Sequence, residues 1–244
     1  MAQIRIGTSG WHYDHWVGPF YPEGTQPKHF IDAYSRVFDA AEINNTFYRL
    51  PSKEVLAEWR DATPKDFVFA CKASRYITHM KKLKDPKQSS ARLFERIAVL
   101  GDKLGPLLFQ LPPNWTVNAE RLDGFLGALP KDHRYAFEFR DESWFTPEIH
   151  DILRRHGAAF CAYDLAGRRS PVELTADFSY VRLHGPDGAY KGQYDDKTLK
   201  GWASQFLDWR ANGKDAYCFF DNDEAGYAAQ DARRLLDMIG GDGT

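Results

Sequence analysis

Residues 135–140 read Tyr-Ala-Phe-Glu-Phe-Arg, a short alternating stretch that a helical pattern and a second strand-like run follow. The helical pattern covers Pro147–His156, and proline after Thr146 is a frequent first helical residue. Gly157 stands where the helix should end, since glycine favours helix C-termini. The apolar run Ala159–Asp164 comes directly afterwards. This order of strand, helix and strand predicts a unit with two parallel strands.

The same alternation extends along the whole chain. Apolar periodicity predicts strands of period 2 and helices of period 3.6 between them. The predicted strands are Ile4–Thr8, Ala40–Asn44, Phe67–Lys72, Leu107–Leu111, Tyr135–Arg140, Ala159–Asp164, Tyr180–His184 and Ala216–Asn222. The predicted helices are Pro27–Arg36, Lys53–Asp61, Ser89–Lys103, Ala119–Leu129, Pro147–His156, Lys197–Asn212 and Ala225–Ile239.

This pattern in 244 residues favours an α/β fold, a closed (β/α)8 TIM barrel with eight parallel strands. We expect one barrel domain over residues 1–244. Only about 15 residues separate Asp164 from Tyr180, so the sixth helix is expected to be short or missing. A doubly wound open sheet is the alternative, but no glycine-rich phosphate-binding turn follows the first predicted strand.

Composition and charge indicate a soluble globular protein. The chain is 43% hydrophobic and 27% charged, and its formal net charge is -2, which excludes a uniformly basic nucleic-acid coat protein. No apolar run approaches the roughly 20 residues that span a bilayer, and the N-terminal segment lacks a signal-peptide core. The three cysteines are far apart, which argues against a disulfide framework. We therefore expect a cytoplasmic protein without membrane attachment.

Strand parity places polar side chains inside the predicted barrel, at the strand ends where barrel enzymes hold their sites. In the fifth strand two phenylalanines face the helices, so Glu138 and Arg140 point inward. The same reasoning points Arg182 and His184 inward from the seventh predicted strand. The polar residues at the ends of the other strands are Glu42, Asn44, Lys72, Gln110, Asp164 and Asn222.

These inward groups are compatible with two kinds of site. The ligands of a divalent metal site would be Glu42, Glu138, Asp164 and His184. The cations among them are Lys72, Arg140 and Arg182. Because each cation raises the free energy of holding a dication nearby, we expect a site for phosphate or another anion, without a bound metal or cofactor. An ion-pair network that only fills the top of the barrel is the structural alternative.

Two loops above the predicted mouth combine aromatic and basic residues. The loop after the first strand contains Trp11 and Tyr13, and the loop after the third contains His79 within a basic run. Aromatic rings beside a basic stripe favour stacking on bases or sugars together with phosphate contacts. Loop-anchoring aromatics and solvated lysines are the alternative. The segment 185–194 contains three glycines and is a candidate lid.

Several ordered motifs stand at the ends of the predicted strands. They include Ile6-Gly7-Thr8-Ser9-Gly10-Trp11, Glu42-Ile43-Asn44-Asn45-Thr46-Phe47-Tyr48, Leu108-Phe109-Gln110-Leu111-Pro112-Pro113, Glu138-Phe139-Arg140 and Arg182-Leu183-His184-Gly185. Together they resemble the domain of unknown function 72 family over nearly the whole chain. The resemblance implies a TIM barrel but no established reaction. The chain departs from the family pattern at Asp141, where histidine is common, and at Asp221, where an asparagine pair is usual.

The leading hypothesis is an enzyme that acts by general acid–base chemistry on a phosphate-bearing substrate, either an anionic small molecule or a nucleic acid. Its catalytic residues would be Glu42, Glu138, Asp164 and His184. Its substrate-binding residues would be Trp11, Tyr13, Asn44, Lys72, His79, Gln110, Arg140, Arg182 and Asn222. The alternatives are a metal-dependent phosphodiesterase that resembles endonuclease IV and a non-catalytic binding module. The sequence predicts no oligomeric state.

Overall fold

The computed structural model describes residues 2–241, in which strands and helices alternate along the chain. The strands are β1 Ile4–Thr8, β2 Ala40–Ile43, β3 Val68–Lys72, β4 Leu104–Gln110, β5 Tyr135–Glu138, β6 Ala159–Leu165, β7 Arg168–Arg169, β8 Phe178–Leu183 and β9 Asp215–Phe220. The helices are α1 Phe30–Ser35, α2 Lys53–Asp61, α3 Pro86–Ile97, α4 Ala119–Ala128, α5 Pro147–His156, α6 Asp196–Ala211 and α7 Tyr227–Gly241.

Within residues 2–241, eight strands form one parallel sheet in the order β1-β9-β8-β6-β5-β4-β3-β2. Its two ends meet where Ser9 and Glu42 form a parallel bridge just beyond β1. The amide of Gly10 donates to the carbonyl of Glu42 at 2.9 Å beside this bridge. The sheet is therefore nearly closed into a barrel, with helices between its strands. The predicted α/β TIM-barrel fold is confirmed.

The segment between β6 and β8 departs from the regular repeat of strand and helix. Residues 166–177 contain no α-helix. Ala166 and Gly167 instead turn the chain with φ of 55° and 74°, and β7 pairs antiparallel with the end of β6. The short or missing sixth helix is thus confirmed, because the interval is used for a tight turn and an extended return.

Several strands end one or two residues earlier than predicted. The residues beyond them still bond to the neighbouring strand: the amide of His184 donates to Asp164 O, and that of Asp221 donates to Leu183 O, each at 2.8 Å. Backbone hydrogen bonds therefore hold these side chains at the carboxyl ends of the strands, although the residues lie outside the regular ladder.

Alternate residues of each strand pack inside the barrel and against the helices. The interior cluster consists of Ala40, Ala70, Leu108, Ala136, Ala159, Cys161, Phe178, Tyr180, Tyr217 and Phe219. Alanines on one side of the barrel leave room for aromatic rings from β8 and β9 on the other side. This cluster closes the barrel beneath the polar strand ends. None of the helices formed by residues 2–241 combines the length and the apolarity that a bilayer crossing requires.

Candidate functional site

The mouth of the barrel is organised around the fully buried guanidinium of Arg182. Its Nη2 lies 2.7 Å from Glu42 Oε1 and 3.1 Å from Asp221 Oδ2. Its Nη1 donates to Glu138 Oε2 at 3.0 Å. Carboxylates from the ends of β2, β5 and β9 thus converge on one cation, which compensates much of the cost of their burial.

Neutral donors complete the surroundings of Glu42. The hydroxyl of Tyr180 donates to Oε2 at 2.7 Å, and the hydroxyl of Ser9 donates to Oε1. Because Arg182 also contacts Oε1, both oxygens of the Glu42 carboxylate are occupied. The side chain is therefore held in one orientation and is fully buried.

A chain of hydrogen bonds connects Glu138 to Asp221 through the imidazole of His184. Arg140 Nε donates to Glu138 Oε1, and Arg140 Nη2 lies 2.9 Å from His184 Nε2. A guanidinium has no acceptor, so Nε2 must accept this bond. The ring proton is accordingly assigned to Nδ1, which donates to Asp221 Oδ2 at 3.1 Å. Both nitrogens of the His184 ring are thus engaged.

The two acids of this chain are held in the ionised form. Burial alone would raise the pKa of Glu138, but Arg140 and Arg182 hold it well below its usual value. Burial likewise opposes ionisation of Asp221, yet the hydrogen bond from His184 and the charge of Arg182 lower its pKa. A carboxylate with a depressed pKa is a weak base. These acids are therefore better suited to position neighbouring groups than to accept a proton from a substrate.

Lys72 differs from the other charged groups of the mouth because its ammonium has no anionic partner in contact. Its side chain is 6% exposed, and Nζ lies 4.4 Å from the centroid of the Phe47 ring. Among residues 2–241 the ammonium makes neither a hydrogen bond nor an ion pair. Burial, reinforced by the charge of Arg182, lowers the pKa of Lys72 to about 8. The mouth thus contains a buried amine that contacts no carboxylate directly, although the charges of Glu42, Glu138 and Asp221 act on it from farther away.

Four other predicted residues belong to the strand ends and loops of the mouth. Asn44 Oδ1 is buried and has no hydrogen-bond partner within residues 2–241. The amide of Gln110 donates to a backbone carbonyl at 2.7 Å. The ring of His79 meets the ring of Phe47 edge-on at 5.0 Å. The hydroxyl of Tyr13 donates to the carbonyl of Ser9 at 2.8 Å. Asn44 and Gln110 thus stand at the ends of β2 and β4, whereas Tyr13 and His79 belong to the loops after β1 and β3.

Asp164 lies outside this cluster, and its predicted inward position is wrong. In β6 it is Cys161 that faces the interior, with Sγ 3.8 Å from Glu138 Oε2. Asp164 is three residues further along the strand and so points to the opposite face. There its Oδ2 accepts from Nε of Arg169 at 3.0 Å. An aromatic residue, Tyr163, occupies the inward position that the sequence analysis gave to the carboxylate.

Asn222 is also misplaced by the prediction, and Asp221 takes the inward position. The Asn222 Nδ2 donates to Gly192 O at 2.9 Å and to Asp231 Oδ2 at 2.8 Å, so it anchors a loop to helix α7. Asp221 is not among the site residues that the sequence predicts. The signal that identifies it is its spacing of two residues from Phe219, which belongs to the interior cluster.

Trp11 and Arg182 do not have the substrate-facing positions that the sequence predicted. Trp11 is buried in the core between strands and helices, where its ring meets Trp59 edge-on at 4.9 Å and lies 5.8 Å from Phe69. Both Nη atoms of Arg182 are occupied by groups of the protein. Trp11 therefore anchors its loop, and Arg182 serves as the internal counterion of the mouth.

The segment 185–194 covers one side of the mouth. Tyr190, which has a φ of 67°, donates its amide to His184 O at 2.7 Å. Its ring meets the imidazole edge-on at 5.7 Å and is 48% exposed. The hydroxyl of Tyr194 accepts from the amide of Gly185 at 2.9 Å and ties the two ends of the segment together. Tyr190 is a residue of the rim, and the sequence identifies it only as part of the candidate lid.

The acidic and histidine side chains of the mouth are not grouped as metal ligands. Within residues 2–241, no three His, Cys, Asp or Glu side chains have an arrangement that would hold a metal ion. The carboxylates face guanidinium groups instead, with which a dication would have to compete. The absence of a bound metal or cofactor stays a prediction.

A family model described as a protein of unknown function, DUF72, matches residues 5–244. The chain belongs to the DUF72 family. The UPF0759 protein YunF of Bacillus subtilis (strain 168) is 27% identical over 273 residues, which cover 97% of this chain and 94% of YunF. The UPF0759 protein YecE of Escherichia coli (strain K12) is 29% identical over 144 residues, which cover 59% of this chain and 50% of YecE.

A crystal structure of a DUF72 family protein from Thermotoga maritima MSB8 is similar to this chain, with a TM-score of 0.89 and 29% sequence identity. The aligned region covers 98% of this chain and 99% of the Thermotoga maritima chain. The family resemblance seen in the sequence is thus confirmed. Of the two departures from the DUF72 pattern, Asp141 caps a short turn by accepting from the amide of Ser143 at 3.0 Å. The other, Asp221, belongs to the charged cluster itself.

Proposed function

We propose that this DUF72 protein is an enzyme that acts on a phosphate-bearing substrate at the mouth of its barrel, with Lys72 as the group that binds the anion and transfers a proton. The observation that carries the proposal is the isolation of the Lys72 ammonium. Buried lysines are almost always paired, because an uncompensated buried charge is costly. A substrate phosphate would give the ammonium the direct anionic contact that the distant carboxylates of the mouth do not provide.

Arg140 supports the choice of an anion. Its Nε and Nη2 are used by Glu138 and His184, but Nη1 makes no hydrogen bond within residues 2–241. Its side chain is 10% exposed, so this donor faces the mouth rather than the sealed interior. A phosphate held by Lys72 would have a second cationic donor available on the same rim.

The pKa of Lys72 suits proton transfer near neutral pH. With a pKa of about 8, most of the amine is an ammonium at neutral pH, which can hold the phosphate and donates a proton to the leaving oxygen more readily than an ordinary lysine does. Binding of a phosphate nearby would raise this pKa again and favour the ammonium form. The catalytic roles first assigned to Glu42, Glu138 and His184 become positioning roles, since arginine or hydroxyl groups occupy each of these side chains. The TIM-barrel fold is common among enzymes, whose sites lie at this end of the strands.

Phosphate binding is tested by isothermal titration calorimetry with inorganic phosphate. Lys72→Met should weaken binding about tenfold or more, because a charged hydrogen bond contributes roughly 1.5–3 kcal/mol. Lys200→Met is the matched control, since Lys200 is exposed on α6 and its replacement removes the same charge. Equal affinities in the wild type and in Lys72→Met would overturn the assignment of the anion to Lys72.

Catalysis is tested separately by turnover of p-nitrophenyl phosphate and of its diester. The wild-type rate should fall as the pH increases through about 8, because the Lys72 amine becomes neutral there and can neither hold the phosphate nor donate a proton. Lys72→Arg keeps the charge but does not titrate in this range, so it should bind phosphate without turnover. The wild type could also bind phosphate but turn over neither of these esters nor any member of a broad panel of natural phosphoesters. That result would indicate a non-catalytic binding module.

A further inference from the structure

A second cavity lies beside the mouth, between the loop after β2 and helix α3. It is an open groove of about 1100 Å³. We call it the β2–α3 groove, and the residues that define it are Tyr48, Arg49, Trp59, Tyr76, Arg92 and Arg96. The Lys72 site accounts for none of these side chains.

The β2–α3 groove is cationic. Arg92 and Arg96 are separated by one turn of α3 and share a face, and Arg49 approaches from the loop. Within residues 2–241, Arg49 and Arg92 make no ion pair, and Arg96 donates to a backbone carbonyl at 3.4 Å. Glu95, the acidic neighbour on α3, is paired with Lys53 at 2.7 Å instead. No carboxylate of the described residues lines the groove.

Several surface arginines elsewhere on this protein pair with an acid on the same helix. Arg36 on α1 pairs with Asp32 at 2.8 Å, and Arg154 on α5 pairs with Asp151 at 2.8 Å. Arginine side chains that gather in one cavity without acidic partners are typical of sites for phosphate or carboxylate groups. The β2–α3 groove therefore has the electrostatic character of an anion-binding surface.

Two exposed aromatic rings accompany these arginines. Tyr48 is 73% exposed and Tyr76 is 43% exposed. Within residues 2–241, Tyr190 of the segment 185–194 is the one other Tyr, Trp or Phe side chain with comparable exposure. The Tyr76 ring lies beneath the ammonium of Lys81 at 5.9 Å, and the Tyr48 ring keeps most of its surface in solvent. Exposed rings beside cationic side chains are the usual platforms on which the bases of a single strand stack.

We propose that the β2–α3 groove binds single-stranded nucleic acid, with its arginines at the phosphates and its tyrosines stacked on bases. An acidic polypeptide would use the arginines but gain little from free aromatic rings. Inorganic phosphate would need neither the rings nor a groove of this size. A nucleic-acid strand carries both phosphates and bases, so it would contact the arginines and the tyrosines together. It is therefore the ligand that best matches the groove. The inference does not depend on the chemistry proposed for Lys72.

The groove also has a defined position relative to the mouth. The ring of Phe47 lies beneath the ammonium of Lys72 at 4.4 Å and meets the ring of Tyr48 edge-on at 5.0 Å. One aromatic side chain thus separates the two sites. A strand bound in the β2–α3 groove would lead towards the rim of the barrel.

The test is fluorescence anisotropy of a short fluorescein-labelled oligothymidylate over a series of salt concentrations. The logarithm of the binding constant should fall linearly with the logarithm of salt concentration. The double variant Arg92→Ala with Arg96→Ala should reduce the magnitude of this slope by about 1.4, because each phosphate contact on a single strand contributes roughly 0.7. Alanine preserves the helix, since it has the highest helix propensity.

A matched control removes the same charge elsewhere. Arg210 on α6 and Arg233 on α7 are exposed and unpaired within residues 2–241, so the double variant Arg210→Ala with Arg233→Ala should leave the slope unchanged. Tyr48→Ala should weaken binding roughly fivefold or more at every salt concentration without changing the slope.

Three results would overturn the proposal. The first is an absence of binding by the wild type at low salt. The second is an equal loss of slope in the groove variant and in the control variant, which would indicate non-specific attraction. The third combines two observations: poly-glutamate displaces the oligonucleotide with an affinity equal to that of the oligonucleotide itself, and Tyr48→Ala has no effect on binding. That result would assign the groove to an acidic polypeptide.

Discussion

Replacement of Arg182 by methionine removes the guanidinium that three buried carboxylates share. Glu42 and Asp221 lie 2.7 and 3.1 Å from Nη2, and Glu138 lies 3.0 Å from Nη1. Loss of one partner of a buried ion pair typically lowers the free energy of unfolding by 3–5 kcal/mol, because the remaining charge is uncompensated. For a chain of this size that corresponds to a fall in melting temperature of roughly 6–20 °C.

The penalty should depend on pH with a defined sign. In the wild type the pKa values of Glu138 and Asp221 are lowered in the folded state. Such groups stabilise the fold above their unfolded pKa, and this stabilisation is lost as the pH falls through the folded pKa. Without Arg182, burial raises both pKa values relative to the wild type. The difference in stability between wild type and variant should therefore shrink as the pH falls from neutral towards about 4.

Urea denaturation followed by circular dichroism measures both quantities. Arg154→Met is the control, because the pair of Arg154 with Asp151 lies on the surface and contributes about 0.5 kcal/mol or less. Glu42→Gln added to Arg182→Met should restore part of the lost stability by removing one buried charge. A loss below about 1 kcal/mol in Arg182→Met, or a loss that does not change with pH, would refute this description of the cluster.

Three further outcomes follow from the positions of individual side chains. Trp11→Ala should lower the free energy of unfolding in urea by about 3–5 kcal/mol; a stable variant with weakened phosphate binding would contradict its place in the core. Asp164→Asn should change stability by less than about 1 kcal/mol and leave phosphate affinity in calorimetry unaltered, since its partner Arg169 is 57% exposed. Asn222→Ala should accelerate amide hydrogen exchange in residues 185–194, measured by mass spectrometry, and wild-type protection there would contradict its role as an anchor.

The fold could be predicted because its determinants are local. Helix α2 begins where Ser52 caps the amide of Val55, and α5 begins where Thr146 precedes Pro147, so both boundaries agree with the sequence analysis. The missing sixth helix was evident from the length of one interval. The strand ends were predicted less well, because they depend on where the neighbouring strand stops bonding.

The site could be predicted in part. Parity identified Glu138 and Arg182 because each alternates with apolar residues that pack against the helices. It failed at Asp164, where an aromatic residue faces inward, and at Asn222, which directly follows the inward acid Asp221. Which charges pair depends on distances across the barrel, which strand parity does not provide. The sequence therefore did not reveal that both Nη atoms of Arg182 contact carboxylates whereas the ammonium of Lys72 contacts none.

The most direct test of the proposed site is the pKa of Lys72, measured by NMR from the pH dependence of its side-chain carbon shift in lysine-labelled protein. Loss of the signal in Lys72→Arg assigns the resonance. We predict a pKa of about 8 in the free protein and a higher value once inorganic phosphate is added. A pKa near the ordinary lysine value of about 10.4 that phosphate does not change would contradict the proposal that this buried amine awaits an anionic substrate.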